Sequence, residues 1–223
     1  MGELTQDDVE TMTVPPWEQA KAAIAAGDLE WAVDRVDESV ARWRSLQDYS
    51  INWITSLLSF IGREMGEEAV ERALRITGDE FLRPRRDTGG DWNALPAVAR
   101  AKAVARAMVS NFSECDVEED DEKITLSFRC GSGGRLIDEG RYDEGGYLVL
   151  RDRAPRTFMR DELPVYCAHC SVNNEIQPVE WTGHPLTVES PPEEKGGQCV
   201  HHVYKDVGAI PDEVYRRIGK ERP

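Results

Sequence analysis

A chain of 223 residues and 25.1 kDa, with 40% hydrophobic and 31% charged residues, can bury a sizeable core and is not of disordered composition. Its net charge of -15 and pI near 4.7 repel phosphate backbones and anionic lipid, which argues against nucleic acid and membrane partners. The opening MGELTQDDVE has neither the basic start nor the apolar stretch of a signal peptide, so the expected location is cytoplasmic. There disulfides are rare, and the five cysteines read as core fillers, metal ligands or nucleophiles.

The first half has helical periodicity. Leu29, Val33, Val36, Val40 and Trp43 form one stripe, and Ile51, Ile54, Leu58, Ile61 and Met65 form a second. Asp28 is placed to cap the first helix, and the residues from Gln47 to Ser50 to separate the two. Both stripes read as core, although they could equally serve a homodimer. A third helix is expected over Gly66 to Arg83. A fourth runs from about Leu95 to Phe112 with Pro96 in its first turn, and RPRRDTGGDWN between them reads as a loop.

After Cys115 the pattern changes. EKITLSFRC alternates Ile124, Leu126, Phe128 and Cys130 on one face of a strand, GYLVLRD, LPVYCAHC and HPLTVES suggest further strands, and a short helix is expected near Pro211 to Ile218. The acidic run Glu118 to Glu122 reads as an exposed hairpin or strand entrance. The expected fold is α+β: a helical region over 1–114 packed with an antiparallel-sheet domain over 115–223 that carries a Cys/His metal site.

Four of the five cysteines and all four histidines lie between Cys130 and His202. Cys167 and Cys170 form a CxxC pair whose thiolates can meet one ion, with Cys130 at a strand end and Cys199 two positions before His201. Thiolate with imidazole suits Zn(II), with iron second. The candidate ligands are therefore Cys130, Cys167, Cys170, Cys199 and His201; Cys115, in the helix-to-strand connection, is left out. Four thiolates would make a closed structural site, whereas fewer would leave a position for water. A metal-free dithiol pair is disfavoured because CAHC shows no helical pattern behind it. Polar residues crowd nearby: Asn173, Asn174 and Glu175, then Glu180, His184, His202 and Lys205. Glu175 and His202 are the candidates for moving protons. Each also has a plainer use, Asn-Asn as a turn and Glu175 as an exposed carboxylate. If His201 and Cys199 share a strand they face one side, and His202 faces the other. In CGSGGRL the small residues are expected to form a tight turn that lets Cys130 reach the metal.

VEEDDEKITLSFRC, YCAHCSVNNE and GGQCVHH, preceded by a helix starting at Gly66, Glu67 and Glu68, resemble the L-2-amino-thiazoline-4-carboxylic acid hydrolase-like family over roughly Gly66 to Lys205. There is a further likeness in kind to 4-vinyl reductase-type small-molecule-binding domains. The resemblance implies hydrolysis of a small cysteine-like or heterocyclic molecule by water addition to a C=N carbon, with Cys130, Cys167 and Cys199 as the best-matching positions. CAHC departs from the pattern, favouring metal over a thiol nucleophile. The leading expectation is a zinc-dependent hydrolase or lyase of a small molecule, with Trp53 or Trp92 available to line its pocket. The alternative is a non-enzymatic zinc-stapled sensor or interaction module.

Overall fold

The computed structural model describes Thr5 and residues 12–223. By its internal contacts the chain divides between Ser50 and Ile51 into two compact units. The change from helix to sheet falls separately, near residue 114.

In the first unit, α1 (Pro16–Ala26) starts on prolines and ends at Gly27, whose φ of 80° terminates the helix in the left-handed conformation. Asp28 then caps α2 (Leu29–Met65), its Oδ1 accepting from the Trp31 backbone N–H at 3.1 Å. α2 runs unbroken through Gln47 to Ser50, where a separation was expected, because that segment holds neither Pro nor Gly. The first apolar stripe departs from a core role: Leu29, Val33, Val36, Val40 and Trp43 are 48–65% exposed. Periodicity shows that they share a face and is silent on what covers it.

The second unit begins within α2, where Ile51 and Leu58 are buried while Ile54 and Met65 are exposed. α3 (Glu67–Thr77) buries Ala69, Val70 and Leu74. It continues through a wide π-type turn, Gly78–Leu82, into α4 (Arg83–Gly89). The expected RPRRDTGGDWN loop is thus partly helical. Pro84 sits in the first turn of α4, where a missing N–H is tolerated. α5 (Ala97–Ser110) follows with Pro96 at its N-cap.

A four-stranded antiparallel sheet follows, in the order β1-β2-β6-β5. Its strands are β1 (Glu114–Glu119), β2 (Lys123–Arg129), β5 (Val188–Ser190) and β6 (Cys199–Tyr204). β1 takes in Cys115, expected in a connection; pairing with β2 makes the segment a strand despite its poor β-formers. Its edge position leaves Glu114, Asp116, Glu118 and Glu119 exposed. On the inner face Ile124, Leu126 and Phe128 alternate as expected and pack with Cys199, Val203 and the α5 residues Ala101 and Val104. Burying Leu126 and Phe128, each 1% exposed, contributes roughly 2 kcal/mol apiece.

α6 (Gly133–Asp138) follows β2, and a small ribbon pairs β3 (Val149–Leu150) with β4 (Leu163–Pro164). LPVYCAHC is a strand only at its start. Val165–Cys167 forms a 3₁₀ turn, and Cys170–Ile176 a π-type turn leading into α7 (Gln177–Thr182). Val165, Cys167, Ala168, Val172 and Ile176 are all buried in the larger core with Leu74, Leu150 and Tyr215, and that packing selects helical turns over β propensity. The last helix is α8 (Asp212–Arg217). The protein is therefore α+β, helices combined with antiparallel sheet, and among the described residues no helix is long and apolar enough to cross a membrane.

Candidate functional site

Cys130 follows the last residue of β2, and the glycines behind it set its surroundings. A Cβ on Gly131 would lie 1.8 Å from the Asn111 carbonyl oxygen, and one on Gly134 2.9 Å from Cys130 Cβ. A Cβ on Gly133 would meet the Tyr166 ring at 2.8 Å and Cys167 Sγ at 3.3 Å. CGSGGRL is thus a close-approach turn packed against both Cys130 and Cys167. Cys199 enters from β6, opposite Phe128. Cys170 Sγ is 3.6 Å from His169 Nε2. All five cysteines are free, and Cys115 lies apart, with Sγ against the Asp116 carbonyl at 3.7 Å.

The four inner thiols influence one another. The Cys199 thiol donates to Cys130 and, with the Gly134 and Ser132 N–H groups, holds the Cys130 thiol well below its ordinary range against the cost of burial. Cys199 is correspondingly pushed up by that bond and by burial. Burial, followed by neighbouring anionic groups, pushes Cys167 and Cys170 up as well. A helical segment does follow CAHC, contrary to the sequence reading, and burial disfavours the thiolate form of both knuckle cysteines.

His201 is buried and meets Phe128 edge-on, with ring centroids 4.7 Å apart. His202 faces the other side of β6, its Nδ1 3.0 Å from Thr125 Oγ1, and burial lowers its pKa. The parity argument therefore holds, and it sets His202 across the sheet from Cys199. Glu175 is fully buried rather than exposed in a turn. Its carboxylate is clasped by the Arg217 guanidinium, with Nε at 3.3 Å, and accepts the Glu189 backbone N–H at 2.6 Å. Burial pushes its carboxyl up to about 7, partly offset by Arg217 and that N–H.

The remaining polar candidates are dispersed. Asn173 donates to the Leu74 carbonyl and to Gln177 Oε1. Glu180 pairs with Arg75 and Lys220, and Lys205 with Glu119. His184 Nδ1 is 2.8 Å from the Tyr215 hydroxyl. A cleft of about 470 Å³ is lined by Arg86, Asp87, Asp91, Trp92, Thr182 and His184, among others, so Trp92 does face a cavity. Arg86, within the segment expected to be a loop, is half-buried over the Trp181 ring and donates to the Asn173 carbonyl at 3.3 Å. Trp53 is 56% exposed.

Glu189 carries no signal in the sequence that would single it out. It is 1% exposed, opposite His201 in the β5–β6 register, with Oε1 3.4 Å from His201 Nδ1. Asn174 Nδ2 and Thr187 Oγ1 donate to Oε1 at 2.9 and 2.8 Å. Glu189 Oε2 and His201 Nδ1 are buried without a hydrogen-bond partner. Among the described residues no three or more His, Cys, Asp or Glu side chains stand where they could together hold one ion. The donor types suit zinc and two donor atoms are orphaned, but the positions are not closed around a point. Comparison with protein-family models, curated proteins and solved structures finds no match to this chain.

Proposed function

We propose that the chain is a zinc-binding protein whose ion draws its ligands from Cys130, Cys167, Cys170, Cys199 and His201, and that it acts as a zinc-stapled small-molecule sensor or interaction module. The observation that carries this reading is the gathering of four unpaired, largely buried thiols from three distant segments at the inner end of the sheet. A core needs no such concentration of sulfur, whereas an ion tying β2 and β6 to the CAHC turns does. The cleft lined by Arg86, Asp87, Asp91 and Trp92 offers a cation, two carboxylates and an aromatic ring, which suits a small zwitterionic or heterocyclic ligand. Iron is the second metal. The exposed apolar stripe of α2 suits a homodimer, which sedimentation would detect. In elemental analysis Cys167→Ser and Cys170→Ser should each lose zinc and stability together. Unchanged stoichiometry in both variants would overturn the proposal.

A second reading, the metal-dependent hydrolase or lyase acting on a cysteine-like or heterocyclic molecule, is favoured by Glu175. A carboxyl pushed up to about 7 is suited to carrying a proton near neutrality. In that reading Glu175 or His202 moves protons. Glu175→Gln then abolishes turnover of a thiazoline carboxylate while zinc content is retained; full activity in this variant would remove Glu175 from the mechanism.

A further inference from the structure

We infer that the cleft beside Trp92 is a binding site for a free α-amino acid with an aromatic side chain, in which Arg86 holds the carboxylate and Asp91 the ammonium group. This deepens the small-molecule reading of that cleft and rests on it.

Arg86 carries a charge that the protein leaves largely unmatched. It is half-buried, its guanidinium seated 5.3 Å from the centroid of the Trp181 ring. Of its N–H donors one reaches an acceptor among the described residues, the Asn173 carbonyl at 3.3 Å. Burial disfavours the charge, and Glu189 offsets this only from beyond ion-pair distance. Other withdrawn arginines are better served. Arg75, Arg156 and Arg217 each hold a carboxylate, and Arg100 and Arg160 each hold two backbone carbonyls.

Opposite charge lines the same cleft without reaching Arg86. Asp87 and Asp91 both line it, and among the described residues neither forms an ion pair. Asp91 Oδ1 accepts the Asn93 backbone N–H at 2.9 Å, which fixes this carboxylate at the start of the turn Trp92–Ala94 and leaves its second oxygen to a ligand. A guanidinium and a carboxylate that share a cleft without pairing can be bridged by a molecule carrying both signs.

The balance of charge narrows the class. One guanidinium against two carboxylates repels a phosphate dianion, and a simple carboxylate would meet only Arg86. A zwitterion meets both signs. His184 adds no cation there, since burial lowers its pKa and its Nδ1 lies 2.8 Å from the Tyr215 hydroxyl. The walls select the side chain. A volume of about 470 Å³ is near the low end for ligand sites and suits a molecule of one ring. Trp92, Pro178 and Leu186 supply apolar surface, and the Trp92 indole N–H is spent on the Leu186 carbonyl at 3.2 Å, so the indole offers stacking rather than a polar contact.

The test is isothermal titration calorimetry of the full chain with three compounds, zinc being measured in the same samples. They are L-phenylalanine, L-phenylalaninamide, which lacks the carboxylate, and 3-phenylpropanoate, which lacks the ammonium group. L-phenylalanine should bind one per chain, and each analogue at least about tenfold more weakly. Arg86→Gln should weaken L-phenylalanine by a similar factor while leaving L-phenylalaninamide within about twofold. Asp91→Asn, which keeps a capping oxygen, should weaken L-phenylalanine and spare 3-phenylpropanoate. Equal affinity for the three compounds overturns the amino-acid class and leaves a small-molecule site. Unchanged L-phenylalanine affinity in either variant overturns the role given to that residue. No saturable binding of any compound at millimolar concentration overturns the site itself, while the zinc content decides the staple separately. Should a variant fail to fold, the three compounds on the wild type decide.

Discussion

Replacing Glu175 by glutamine should remove a pH dependence of stability that the wild type carries. In the native state this carboxyl is pushed from its ordinary 4.5 up to about 7, chiefly by burial. Between those values the folded state holds a proton that the unfolded chain has released, so stability falls as pH rises. Each pH unit of displacement corresponds to about 1.4 kcal/mol, and the interval from 4.5 to about 7 gives a loss of roughly 3 kcal/mol, nearly complete by pH 7.5. The substituted amide would still offer an oxygen to the Glu189 N–H, while Arg217, whose side chain is 24% exposed, can be hydrated once its partner is neutral. The assay is urea unfolding of both proteins from pH 4.5 to 8, taking the difference so that groups common to both cancel. The wild type should lose about 3 kcal/mol relative to Glu175→Gln across that range. Parallel curves would show that the buried Glu175 does not titrate there, and the reasoning about its environment would fail.

Other expectations follow from packing. Gly131→Ala sets a methyl group against the rigid Asn111 carbonyl and should cost about 3 kcal/mol in urea unfolding. Phe128→Ala, at a position 1% exposed and edge-on to His201, should cost about 3–5 kcal/mol by the same measurement. Val36→Glu should change stability by no more than about 0.5 kcal/mol at concentrations where the chain is monomeric, because Val36 is 49% exposed. A larger loss there would mean that its helix face is covered.

Sequence patterning made some parts of this molecule legible. The alternation of Ile124, Leu126 and Phe128 marked both β2 and its inner face, and the spacing of Cys199, His201 and His202 assigned the two histidines to opposite sides. Other parts depend on tertiary partners. Val165, Tyr166 and Cys167 have β-forming side chains, yet burial against Leu150 and Ile176 holds the segment in a helical turn. The exposure of Val33, Val36 and Val40 could not be read, since periodicity defines a face and not its neighbour. Glu189 escaped notice because a carboxylate in a short strand ordinarily faces solvent. Only the register that sets it opposite His201 turns it inward.

The acidic outer strand of the sheet has a consequence for handling the protein. β1 leaves one row of backbone donors and acceptors open to pairing with another chain, and Glu114, Asp116, Glu118 and Glu119 keep two such edges apart by repulsion near neutral pH. Without these side chains the edge is a template for intermolecular β pairing. Alanines in their place should promote aggregation of the folded protein that begins at this strand, and lysines there should suppress it.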